Sequence, residues 1–91
     1  AVTGGKDISG AGTIDINGQV GPIGGIKQKM AGAREAGSTF FLAPTSNCDE
    51  VKGHEPEGMK VFAVGTLHEA VTATEAIASG DTSGLATCSA K

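Results

Sequence analysis

The spacing of apolar residues changes along this chain, and each change marks an element. Thr13-Ile14-Asp15-Ile16 alternates polar and apolar, as a strand with one buried side does. Asn17-Gly18 follows, the pair best suited to the two positive φ angles of a two-residue hairpin turn. Gln19-Val20 starts the return strand, and Pro22 has no N–H to give a central ladder. Together these residues predict a hairpin near 12–23. From Ile26 the period lengthens. At about 100° per residue, Ile26, Met30 and Ala33 share one face, with Ala36 on its flank. That predicts a helix near 26–36, entered through Gly24-Gly25 and stopped at Gly37.

Thr39-Phe40-Phe41-Leu42-Ala43 is a continuous apolar run closed by Pro44, which predicts a buried strand near 39–43. Lys60-Val61-Phe62-Ala63-Val64 predicts another near 60–64. Between them, Ser46 or Asn47 is placed to cap a short turn of helix through Cys48-Asp49-Glu50-Val51, and 53–58 is a loop. Thr66-Leu67-His68-Glu69 has the form of a capping box. It opens a helix near 67–79 with Leu67, Val71, Thr74 and Ala78 on one face and Gly80 at its end. Ala1 to Ala11, rich in Gly, Ser and Thr, is expected as extended or loop chain. Strands alternating with helices give an α/β (α+β) class with a mixed sheet, a hairpin and two main helices. Residues 1–80 form the domain, and 81–91 a Ser/Gly/Ala-rich tail with little to pack.

Composition narrows the function. A chain of 91 residues is one domain, burying about 60–65% of its unfolded surface. Three Phe and no Trp or Tyr make a thin core, while 15 Gly imply tight turns or a closely approaching partner segment. A net charge of −3 without aromatic–basic interleaving argues against a nucleic-acid partner. No run is long and apolar enough to span a bilayer. Gly4-Gly5-Lys6 and Gly25-Ile26-Lys27 miss the spacing of a phosphate loop, and no Gly-x-Gly-x-x-Gly opens a helix. His54 and His68 share no helix and pair with neither Cys48 nor Cys88 at a zinc-like spacing. Asp49-Glu50 and Glu55/Glu57 read as solvated faces. No cofactor or metal is therefore expected.

The two lysines at the start of the first helix are the candidate chemistry. On the helical wheel Lys29 falls between the Ala33 and Ala36 directions, whereas Lys27 falls outside the apolar arc beside Arg34. A lysine half withdrawn from water at the positive end of a helix is disfavoured as a cation, which suits a general base. The commoner arrangement at such an angle is a lysine whose stem covers alanines while its amine reaches water. The pattern leaves both readings open.

The run Gly18-Gln19-Val20-Gly21-Pro22-Ile23-Gly24-Gly25-Ile26-Lys27-Gln28-Lys29, followed by Ala31, Ala33 and Ala36-Gly37, resembles the proteolytic domain of Lon proteases. Within that family it resembles the branch that lacks the ATPase and joins a PDZ domain to the Lon-type domain outside the cytoplasmic membrane. The similarity extends from about Thr3 to the helix after Thr66. The resemblance implies a Ser–Lys dyad that hydrolyses peptide bonds without ATP or metal. The lysine of the motif stands four residues after the second glycine of Gly-Gly, which here is Lys29. The family's nucleophile is the serine of a Gly-Pro-Ser-Ala-Gly turn well before the lysine. None of these 91 residues forms such a turn, so the resemblance implies an upstream serine-bearing part of the same domain. The nearest imitation is Ser9 in Ile-Ser-Gly-Ala-Gly, and a Ser9–Lys29 pair is the one hydrolytic arrangement internal to this chain. Where the family often has a threonine that bonds the lysine, this sequence has Ala11, with no hydroxyl to offer.

The implied partners are a peptide or protein substrate and the serine-bearing segment. A homo-oligomer and a membrane-anchored parent are compatible with the family's placement. Without the serine wall, the Lys29 amine is expected to be wetter than in an intact domain. An extracytoplasmic family member with two cysteines also implies a disulfide between Cys48 and Cys88, which would hold the tail to the body. The competing class is a non-catalytic binding or assembly module on the same fold.

Overall fold

The computed structural model describes residues 2–3 and 6–88. Gly4 and Gly5, weighed above against a phosphate loop, and residues 89–91 of the tail lie outside the described residues. The strands are β1 (Val2–Thr3), β2 (Lys6–Gly10), β3 (Thr13–Ile14), β4 (Val20–Gly21), β5 (Phe40–Pro44) and β6 (Lys60–Val64). The helices are α1 (Ile26–Glu35), α2 (Cys48–Val51), preceded by a 3-10 turn at Thr45–Asn47, and α3 (Leu67–Ser79). One sheet has the order β1-β2-β5-β6 and the other is the β3-β4 hairpin. β2, β5 and β6 are parallel, with Ile8 opposite Phe40 and Phe40 opposite Lys60, while β1 pairs antiparallel to β2. The α/β character and mixed strand directions are as expected.

Parallel strands need crossovers, and the crossover helices cover the sheet, so the strands are apolar on both sides. Alternate residues of β5 and β6 accordingly feed two cores. Phe41, Ala43 and Val61 meet Ile26 and Met30 of α1, Val51 of α2, Met59 and Cys88. Ile8, Leu42, Phe62 and Val64 meet Ala73 and Ile77 of α3. The two main helices thus lie on opposite faces of one sheet.

One sequence expectation becomes more specific, and three need correction. Of the amino-terminal stretch expected as extended or loop chain, the described residues are extended: they supply β1 and the sheet strand β2, which continues by one more bond from the Ala11 N–H to the Leu42 carbonyl at 3.2 Å. The hairpin turn is not a two-residue Asn-Gly turn. Gly18 N–H donates to the Asp15 carbonyl at 3.0 Å, Asp15 N–H to the Gln19 carbonyl at 3.1 Å, and Gly18 alone takes a positive φ of 79°. That is a three-residue loop closed by a left-handed glycine. Asp15 selects it, because its Oδ1 accepts from Asn17 N–H at 2.8 Å and Gln19 N–H at 2.9 Å.

The face of α3 is also rotated. Leu67 and Val71 are about half exposed, and the buried residues are Ala73 and Ile77, with Ala70 packed beside them. This is about a quarter turn from the expected stripe. Small side chains let the helix approach Phe62 and Val64, whereas a Leu67/Val71 face would hold it off. The described part of the tail does pack: Ala63 N–H donates to the Ala86 carbonyl at 2.9 Å, Thr87 bridges Phe62, and Leu85 joins the α3-side core.

The expected disulfide is present. Cys48 and Cys88 are joined across 40 residues, with Cα atoms 4.8 Å apart, and Cys88 is buried. The bridge ties the end of the described chain to α2.

Candidate active site

Lys29 owes its place to the Pro22–Gly25 entry into α1. Gly25 is the N-cap in a left-handed conformation (φ 70°), a setting that glycine tolerates at no steric cost, and no side chain caps the helix there. Lys29 N–H donates to the Gly25 carbonyl at 3.0 Å, so the first hydrogen-bonded turn of α1 closes on this residue. Ile26 and Met30 anchor that turn, each essentially inaccessible to water. Lys29 is therefore fixed in its Cα position by two buried neighbours while its side chain is exposed.

Less separates the two lysines than their places on the helical wheel imply. Lys27 and Lys29 are both exposed. The buried face centres on Ile26 and Met30 with Ala33 half-buried, and Ala36 is exposed, so the flank toward Lys29 is open. Among the described residues nothing encloses the Lys29 side chain.

Ser9 is not brought to Lys29. It lies in β2, and its hydroxyl hydrogen-bonds the hydroxyl of Ser38 at 2.5 Å. Ser38 is buried just beyond the last turn of α1, where its N–H donates to the Ala33 carbonyl at 3.0 Å. Lys29 stands near the opposite end of that helix, with about 9 Å of helical rise between it and Glu35 alone. Ala11 packs against the same core that holds Ile26 and Met30, so position 11 does face the α1 side of the sheet. His54 and His68 are exposed and far apart in the element order, and His54 Nδ1 contacts the Lys52 carbonyl at 3.1 Å. Among the described residues no three His, Cys, Asp or Glu side chains converge on one point.

One residue of the site escaped the sequence reading. Asn47 was expected only as a helix cap, yet it makes no cap bond. Its side chain is buried and turned to Ile23: Oδ1 accepts from the Ile23 N–H at 3.0 Å, and Nδ2 donates to the Ile23 carbonyl at 2.9 Å. Nδ2 also donates to Glu50 Oε1 at 2.8 Å. The only sequence signal was a lone Asn after a strand-ending Pro-Thr-Ser, which does not distinguish a cap from a long-range clamp.

The family model of the Lon protease (S16) C-terminal proteolytic domain matches residues 2–77, most of the chain and all of the elements around Lys29. The chain belongs to the Lon C-terminal proteolytic domain family. Among named relatives, it is 38% identical over 69 residues to Lon protease 1 of Sorangium cellulosum, covering 72% of this chain and 8% of that protein. It is 36% identical over 75 residues to the Lon protease of Lachnoclostridium phytofermentans, covering 76% and 9%. A plant relative, the mitochondrial Lon protease homolog of Zea mays, is 33% identical over 67 residues, covering 70% and 7%. The chain thus spans less than a tenth of the length of these relatives.

Proposed function

We propose that this chain is the lysine-bearing part of a Lon-type serine peptidase domain, with Lys29 as the general base. The nucleophilic serine comes from a segment outside these 91 residues. The observation that carries the reading is the pairing of motif and placement. The Gly-Gly-x-x-x-Lys block forms the anchored first turn of α1, and the lysine it presents is exposed, open to a segment packing over it.

The chemistry follows from a neutral amine facing a hydroxyl. Lys29 Nζ takes the proton of the serine Oγ as that oxygen attacks the peptide carbonyl carbon. The tetrahedral adduct collapses with cleavage of the C–N bond, and the ammonium returns its proton to the departing amine. The remaining ester is an acyl-enzyme. Lys29 then deprotonates a water that attacks the ester, and the acid product and free serine are released. The two steps need no ATP and no metal.

We assign the parent to the ATPase-free, PDZ-linked branch outside the cytoplasmic membrane. The Cys48–Cys88 bridge supports this, since disulfides persist in oxidising compartments. The test of the whole reading is the coding sequence preceding Ala1 together with ATP-free peptide hydrolysis by the full-length product. A Gly-Pro-Ser-type turn and hydrolysis lost on Ser→Ala in that turn are the expected results. Absence of both would leave a binding or assembly module. Alkylation trapping of the protein in cells should find Cys48 and Cys88 blocked as a disulfide; two alkylated thiols would remove the extracytoplasmic assignment.

A further inference from the structure

We infer that Asn47 is a positioning residue for the catalytic lysine, a role that rests on the Lys29 reading above. Three facts meet at this side chain. It is 4% exposed, it bonds both backbone polar groups of Ile23, and Ile23 is two residues before the cap of α1. The Ile23 side chain packs against the α1-side core, but the residues between it and the helix add little. Gly24 and Gly25 have no side chains to pack, Pro22 is exposed, and the cap makes no side-chain bond. A loop with two successive glycines samples many backbone states unless its polar groups are tied down. Asn47 ties down both of those of Ile23, the residue that leads into the two glycines.

The chemistry of the clamp specifies the residue. Ile23 presents one donor and one acceptor, and a carboxamide is the side chain that presents the matching acceptor and donor in one plane. Aspartate would accept from the N–H but oppose the carbonyl with negative charge. Serine is too short to reach both. The second N–H of Asn47, spent on Glu50 Oε1, fixes which way the amide faces. Asn47 is in turn adjacent to Cys48, so the clamp stands on a turn held by the disulfide. The geometry runs from the bridge to Asn47, to Ile23, to the Gly25 cap and to Lys29, whose own N–H closes the first turn on Gly25.

A lysine displaced by a fraction of an ångström loses its alignment with the serine hydroxyl without losing substrate contacts made elsewhere. The expected signature is a fall in kcat at nearly constant KM. The experiment uses the full-length protease with a fluorogenic peptide, comparing Asn47→Ala, Glu50→Gln and Lys29→Ala with the unaltered protein. Asn47→Ala should lower kcat about 10- to 100-fold with KM within about threefold. Glu50→Gln keeps an amide oxygen for Asn47 and should stay within about twofold of the unaltered kcat. Lys29→Ala should be inactive. If Asn47→Ala does not fold, the double variant Asn47→Asp/Glu50→Gln carries the same kinetic test. It keeps the acceptor for Ile23 N–H, removes the donor and avoids facing two carboxylates. Unchanged kcat for a folded Asn47 variant, with Lys29→Ala dead, overturns the positioning role and leaves the Lys29 reading standing. An active Lys29→Ala overturns both.

Discussion

Breaking the Cys48–Cys88 bridge is the perturbation whose size the structure fixes best. The bridge spans 40 residues, enclosing α2, β6, α3 and the packed tail. In the chain-entropy model a loop of that length removes about 13 cal/mol/K from the unfolded ensemble, or about 4 kcal/mol at 298 K. The folded side changes less. Reduced thiols still pack as small apolar groups, and the 84–88 segment keeps its Leu85 contact and the Ala63–Ala86 backbone bond. A domain of this length has about 5–14 kcal/mol in total, so the reduced form should be folded but marginal. With a urea slope of about 1.5 kcal/mol/M, the midpoint should fall by about 2–3 M on reduction. The assay is urea unfolding followed by circular dichroism with and without a phosphine reductant, repeated on Cys48→Ala/Cys88→Ala. Midpoints that differ by less than about 0.5 M would show that the unfolded chain is compact enough to make the bridge irrelevant, and would refute the entropy argument.

Met30 is completely buried between α1 and the sheet, and Met30→Ala should cost about 2–5 kcal/mol in the same urea titration; a loss under about 1 kcal/mol would mean the site collapses around the gap. Thr66 Oγ1 accepts from the Glu69 N–H at 3.0 Å at the start of α3, so Thr66→Ala should cost about 0.5–2 kcal/mol, whereas Thr66→Ser should cost less. The 91-residue chain by itself should hydrolyse no peptide bond, because Ser9 is committed to Ser38 away from Lys29; turnover by pure chain that disappears in Ser9→Ala would overturn the assignment.

How much the sequence showed depended on the range of the interaction. Elements set by local period were legible: α1, β5, β6 and α3 all appear near their expected bounds. The Thr66 cap was legible too, although Glu69 reaches back to the Gly65 N–H at 2.6 Å rather than to Thr66 itself. β2 was not, because Lys6-Asp7-Ile8-Ser9-Gly10 carries one apolar side chain and owes its strand to pairing with β5. The face of α3 was misjudged because hydropathy ranks Leu67 and Val71 above Ala70 and Ala73, while the approach of helix to sheet favours the small residues. Asn47 was hidden for the same reason as β2: its partner is 24 residues away. Lys29 was singled out by motif rather than by its environment, which is exposed like that of Lys27.

That last point sets the most direct test. In the full-length protein, Lys29→Ala and Lys27→Ala should each leave the fold intact, since both side chains are exposed in this chain. Peptide hydrolysis is then measured for both under identical conditions. The account predicts no turnover for Lys29→Ala and most of the activity retained for Lys27→Ala. Activity retained in Lys29→Ala, or lost in Lys27→Ala instead, would contradict it.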